Sequence, residues 1–345
     1  MAVYGYRIHT IEPHIARKRT DDALLKIQDV SRAGGEVDAF DEFVRQLTEL
    51  RDAATQIGTP TYYVDELREE ARQQEILDAE NLPYFEVVKF NQIGRALEVL
   101  VETGREADHD ALVDRSGNHE PIKKKAAVRR SVVLLAFPTN GDMAVMVSEV
   151  RGRGFAGEVL MQWMTRRAQR AAVSLDEKGS RKEEPWLNWK LTPRIDGERL
   201  DGILIGSANH GFKLRRRTIN AQGGRSSYDI ELVQWGLKKT PIEKLGEALT
   251  KMAERSGKGS ESERRKMAAK DVLTLIEPDV EGVEFDDAEL TFLENGKTQK
   301  INSETIDQLY VYPLGSTKPK PSEIRNKANP VVQRIGPTLG IQAQL

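Results

Sequence analysis

The sequence predicts an α+β fold, with a helix-rich N-terminal part and a mixed, largely antiparallel sheet with flanking helices in the second half. Three observations carry this. Phe40, Phe43, Val44, Leu47 and Leu50 recur at helical spacing. Asn140-Gly141 stands between two apolar runs, a strong short-range hairpin signal. Phe212 to Ile219 and Tyr228 to Trp235 both alternate with the two-residue period of a strand.

In chain order, Ala2 to His9 reads as a first strand with Tyr4, Tyr6 and Ile8 on one face. Asp21-Asp22 can cap a short helix through Ile27 and Val30, stopped by Gly34-Gly35. Asp38 opens the clearer helix, which ends at Gly58-Thr59-Pro60. A short strand at 61–64, a charged helix at 65–79 and a further helix at roughly 91–103 follow, the last on Ile93, Leu97, Leu100 and Val101. Residues 104–121 are polar and read as a connection.

The second half changes character. Arg130 to Phe137 and Asp142 to Val150 form the arms of the hairpin, and an amphipathic helix spans 157–173. Strands are expected at Trp186 to Thr192, Leu200 to Ile205, Val283 to Leu293, Lys297 to Ile301 and Gln308 to Pro313. Helices are expected from Pro241 to about Arg255 and at 266–276, around a linker-like stretch at 256–265. The domain plan is therefore a mixed α/β region at 1–120, a strand-rich region at 121–315 and a Pro-rich, poorly ordered tail at 316–345.

Composition narrows the function. The chain has 345 residues, 39% of them hydrophobic, enough for two domains or for one with large additions. Charged residues make up 31% but the net charge is −2, which excludes a uniformly basic chain and leaves room for a local basic surface. There is no cysteine, so disulfides, zinc–thiolate sites and thiol chemistry are excluded. With no signal-like start and no apolar run near the ~18 residues of a membrane span, the expectation is a soluble, cytoplasmic-type protein.

No active site emerges. His9, His14, His109, His119 and His210 fall in no ligand-like pair, and no metal or cofactor is expected. Ser207 and His210 share a turn, which is not triad geometry. Arg151-Gly152-Arg153-Gly154-Phe155-Ala156-Gly157 lacks the Gly-Lys-Ser/Thr ending of a nucleotide loop, leaving a generic anion nest or a glycine-requiring turn. The alternative enzyme reading is a metal-dependent nuclease-type effector using Asp229 and Glu231 or the carboxylates of Asp286, Asp287 and Glu289. Asp229 and Glu231 lack the Glu-x-Lys continuation that such a site wants.

Binding has better support. Alternation puts Lys213, Arg215 and Arg217 on one face of a strand, spaced roughly 6.6 Å apart, with Arg216 between them. Such a row suits a phosphate backbone, and it equally suits a solvated sheet face. Further cations cluster in the same half: Lys123, Lys124, Lys125, Arg129, Arg130, Arg166, Arg170, Arg225, Lys238 and Lys239. Trp163, Trp186, Trp189 and Trp235 share this half, and alternation makes most of them core.

The order of features from about 120 to 315 carries a resemblance. RSVVLLAFPTNGDMAVMV is followed by GEVLMQWM and then by WLNWKLTPRIDGERLDGILIGS. SYDIELVQWGLKKTPIEKLGEALTKM and VEFDDAELTFLENGKTQKINSETIDQLYVYPL complete the series. It resembles the Rex A-type phage-exclusion (abortive infection) proteins of temperate bacteriophages and prophages. The resemblance implies a homodimer in the cytoplasm of a bacterial host cell that binds double-stranded DNA without strong sequence preference. It also implies a sensor of infecting phage that works with a membrane-embedded effector partner.

Overall fold

The computed structural model describes residues 4–16, 24–27, 30, 37–52, 56–57, 83–106, 111–113, 119–121, 126–151, 154–175, 181–183, 185–196, 198–199, 211–218, 227–235, 249, 251–252, 260–276, 285, 287–294, 297–302, 305–342 and 344–345. The chain divides into two units, 1–191 with 313–345, and 192–312.

The first unit opens with β1 (Tyr4–Ile15), α1 (Ala39–Asp52), β2 (Gln56–Ile57), β3 (Pro83–Ile93) and β4 (Ala96–Glu106). A small hairpin, β5 (Ala111–Val113) and β6 (His119–Pro121), precedes β7 (Ala126–Ala136), β8 (Ala144–Arg151) and β9 (Gly154–Phe155). Then come α2 (Ala156–Ala171), the pair β10 (Val173–Leu175) and β11 (Arg181–Glu183), and β12 (Leu187–Arg194). In the second unit lie β13 (Gly211–Thr218), β14 (Ser227–Trp235), α3 (Glu261–Ile276), β15 (Asp287–Glu294) and β16 (Lys297–Asn302). A 3-10 turn at Ile306–Tyr310, β17 (Tyr312–Gly315) and α4 (Pro321–Thr338) complete the chain.

The expected helix-rich N-terminal part is not what forms. The chain begins with a strand, strand is its main conformation, and a large antiparallel sheet dominates. Residues 91–103 show why. Ile93, Leu97, Leu100 and Val101 fit a helical face, but Leu97, Val99 and Val101 also alternate. The strand period wins, and those three are buried on one face of β4 between β3 and β7. Gly94, at φ +59, makes the turn from β3, and β4 continues to Glu106 where a polar connection was expected. The short helix expected around Ile27 is also absent from the residues described there. Leu24 bridges His14 instead, and the Ile27 amide donates to Gly141 O at 2.8 Å. The strand expected at 61–64, the helix at 65–79 and the strand at 200–205 lie outside the described residues.

The main sheet runs β12-β1-β8-β7-β4-β3-β2, with β17 added beside β1 and β9 beside β8. Its pairings from β1–β8 to β2–β3 are antiparallel. The Asn140-Gly141 turn joins β7 to β8, with Gly141 at φ +115. Because β4 pairs with β7, residues on both sides of position 120 share one sheet.

One face carries Leu97, Val99, Val101, Val133, Leu135 and Met146, and α1 and α2 close over it. From α1 come Phe40, Phe43, Leu47 and Leu50; from α2 come Leu160, Met161, Trp163 and Met164. Phe43 meets Phe137 at 5.3 Å and Trp189 at 5.2 Å between ring centroids. Asp38 starts α1, its Oδ1 accepting from the Phe40 amide at 2.8 Å, and Arg95 pairs with it at 2.8 Å from the β3–β4 turn. At the start of α2, Gly157 lies hard against β8. Its amide donates to Ser148 Oγ at 3.0 Å, and an added Cβ would stand 2.7 Å from Met146 Cε and 3.0 Å from Ser148 Cβ. Gly157→Val is expected to push α2 off the sheet and cost about 1–3 kcal/mol, read as a lower midpoint in denaturant unfolding.

The opposite face carries Tyr6, Ile8, Val132, Leu134, Val145 and Val147, all buried. Here the Pro-rich tail, expected to be poorly ordered, forms α4. Ile324, Ala328, Val331, Val332 and Ile335 are buried at helical spacing. Tyr6 Oη donates to Lys327 O at 3.0 Å, and Arg325 pairs with Glu98 on β4. Pro321 occupies the first turn, where a missing amide costs nothing.

In the second unit the sheet order is β14-β13-β15-β16, with antiparallel pairings. Leu214, Ala288, Leu290 and Ile301 pack on one face against Ala268, Ala269 and Val272 of α3. Ser260 caps α3 in a capping box with Glu263: Ser260 Oγ donates to the carboxylate at 2.8 Å and accepts from the Glu263 amide at 3.3 Å, and the Ser260 amide donates to the same carboxylate at 3.0 Å.

Candidate phosphate-binding site

The antiparallel register brings the start of β7 to the end of β8, and Tyr4 at the start of β1 pairs directly with Arg151. Arg129, Arg130 and Arg151 therefore gather at one end of the main sheet. Arg129 Nη1 donates to Arg151 O, and its Nε to Ser131 Oγ, both at 3.3 Å. The Arg151 guanidinium lies over the Tyr4 ring, 5.5 Å from its centroid, and the residue is exposed. From far along the chain, the strap between β17 and α4 brings Lys318, whose Nζ donates to Arg130 O at 3.0 Å. Arg130 pairs across the ladder with Glu102, its Cα partner on β4. Among the described residues, no carboxylate lies within ion-pair range of Arg151 or Lys318.

Beneath these cations sits Glu149, 1% exposed. Its Oε2 accepts the Val132 amide at 3.1 Å, while Oε1 is buried without a hydrogen-bond partner. Burial pushes its carboxyl up from the ordinary range; the Val132 amide and the charges of Lys318, Arg129 and Arg151 pull the other way. Burial also lowers Arg129, opposed by Glu149 and reinforced by repulsion from Arg151. Arginine stays charged through such a shift, so the patch presents guanidinia crowded at the edge of a buried acid.

The row on β13 is built differently. Lys213 and Arg215 do share a face, away from the α3 core, as alternation predicts. On that face Arg215 is the Cα partner of Asp287 and Glu231, and Lys213 of Glu289. Arg215 pairs with Glu289 at 3.6 Å, both side chains largely covered, and Lys300 reaches the same carboxylate at 3.4 Å. A register shift falls between Arg216, which is exposed, and Arg217, whose side chain is outside the described set.

The remaining cations scatter. Arg166 is half-buried on α2 and donates to Gln169 Oε1 at 2.8 Å; Arg170 is placed on α2 by its backbone alone. Lys123, Lys124, Lys125, Arg225, Lys238 and Lys239 lie outside the described residues. The described cations fall in both units, Arg129, Arg130, Arg166 and Arg170 in the first and Lys213 to Arg217 in the second. Sequence reasoning counts Arg151 in the glycine-rich nest and in the basic group 151–170 without joining it to Arg129, and it passes over Lys318. Nothing local marks Lys318, because its position depends on β17 joining β1 and α4 docking.

Other candidates resolve plainly where described. Trp163 and Trp189 are core, and Trp189 Nε1 donates to the buried Gln46 Oε1 at 3.3 Å. His9 is buried and stacks on Phe155 at 4.8 Å; His14 sits 3.3 Å from Glu12 Oε2. Glu289, a candidate for a nuclease site, is engaged by two cations, and no metal-holding group of His, Asp and Glu occurs among the described residues. No helix among them is long and apolar enough to cross a membrane. No family model matches the chain, and neither a curated protein nor a solved structure matches it.

Proposed function

We propose that this chain binds the phosphate backbone of double-stranded DNA without base readout, through the cations at the β7–β8 end of the main sheet. One observation supports it above the others: exposed Arg151 and Lys318 converge beside Arg129 with no carboxylate, among the described residues, in ion-pair range of either. Guanidinium and ammonium donors on a sheet end contact phosphate oxygens whatever the base sequence. On β13, by contrast, the cations face Asp287, Glu289 and the Glu231 position, so much of their charge is already met. The resemblance adds the wider setting: a homodimeric sensor in a phage-exclusion system, passing its signal to a membrane-embedded partner.

The test is fluorescence anisotropy of the purified chain with unrelated duplexes at rising salt, with and without Mg²⁺. The reading expects similar affinity for every duplex, a steep fall with salt and intact DNA. Absence of binding at low salt contradicts it. Cleavage that requires Mg²⁺ would replace it with the nuclease.

A further inference from the structure

Glu149 is an expensive residue to place where it is. A carboxylate that is 1% exposed, with one oxygen lacking a partner, costs free energy unless it is neutral or closely paired. An apolar residue at this position would pack beside Val147 at no such cost. The cations around it stay outside ion-pair range yet act on it through space.

We infer, resting on the phosphate-binding reading above, that Glu149 couples anion binding to proton uptake at the β7–β8 patch. A phosphate held by Arg129, Arg151 and Lys318 adds negative charge above a buried carboxylate and so favours its neutral form. Linkage then requires the converse: protonating Glu149 tightens the hold on phosphate by the same factor. The groups facing it can be named. Tyr4 and Tyr6 come from β1, Tyr6 being its direct Cα partner. Arg129 and Arg130 come from β7, Arg151 from β8 and Lys318 from the strap. Beyond them, α4 supplies Lys327, whose carbonyl takes the Tyr6 hydroxyl, and Arg325, held by Glu98. Two further acids lie on this face, Glu102 of β4 paired with Arg130 and Glu98 paired with Arg325; among the described residues Glu149 is the buried acid that no cation holds in ion-pair range. Its raised carboxyl is consistent with titration above the ordinary carboxylate range.

The experiment is duplex affinity across pH 5.5–8.5 at fixed ionic strength, for the full chain and for Glu149→Gln. Glutamine keeps an acceptor for the Val132 amide and removes the charge. The wild type is expected to weaken by about fivefold or more as pH rises, a typical coupling between linked sites. Glu149→Gln should bind tightly with a flat profile. Equal slopes in the two proteins would overturn the inference while leaving DNA binding intact. No wild-type binding at any of these pH values would instead remove the reading it rests on. Titration calorimetry of wild type with duplex in two buffers of different ionisation enthalpy does not depend on the variant folding. Net proton uptake on binding anywhere between pH 5 and pH 8 supports the coupling, and zero uptake throughout that range contradicts it.

Discussion

Deleting residues 321–345 is expected to leave the first unit unable to fold. The deletion strips α4 from a sheet face made of Tyr6, Ile8, Val132, Leu134, Val145 and Val147. It also removes the helix's own buried side chains, Ile324, Val331, Val332 and Ile335 among them. Each large aliphatic side chain buried contributes about 1.5–3 kcal/mol, while a whole domain is stable by only ~5–15 kcal/mol. Losing several at once exceeds that margin. The Tyr6 hydroxyl loses its acceptor in the same step. Circular dichroism and size-exclusion chromatography check it: the truncated chain should be aggregated or lack a cooperative melt. A soluble truncated chain melting at the wild-type temperature contradicts the packing described for α4.

Replacing Arg129, Arg151 and Lys318 together by alanine is expected to lower duplex affinity by about two to three decades near 0.1 M salt. Every cation withdrawn from a phosphate takes ~0.9 off the slope of log affinity against log salt, so the three together take off roughly 2.7. The weakening should be even across sequences, because interactions with the backbone carry no base information. Arg130 is left in place because its pairing with Glu102 joins β4 to β7, and removing it would mix a stability effect into the binding readout.

Much of the sheet is legible in the sequence because two-residue alternation is strong where one face is buried. β13 and β14 form where the sequence alternates, while the β7–β8 hairpin is legible from two apolar runs around Asn140-Gly141 and is buried on both faces. Residues 91–103 mislead for a physical reason: Leu97 and Val101 satisfy both periods, Leu100 only the helical one and Val99 only the strand one, and the flanking strands decide between them. The tail misleads through its prolines. Pro321 suits a helix start, and Ile324, Ala328, Val331, Val332 and Ile335 already spell an apolar stripe through Pro330. The site is legible only in pieces. Arg129 and Arg130 stand out as a cluster, whereas Arg151 and Lys318 join them through pairings between residues far apart in sequence. The acid partners of Lys213 and Arg215 are equally hard to foresee, because Asp287 and Glu289 reach them across a ladder.

The most direct measurement compares the salt dependence of duplex affinity for wild type, the Arg129→Ala, Arg151→Ala, Lys318→Ala variant and a Lys213→Ala, Arg215→Ala variant, each verified as folded. The account predicts a slope flattened by roughly 2.7 in the first variant and a nearly unchanged slope in the second. A wild-type slope in the first with a flattened slope in the second contradicts it, and moves the phosphate-binding cations to β13.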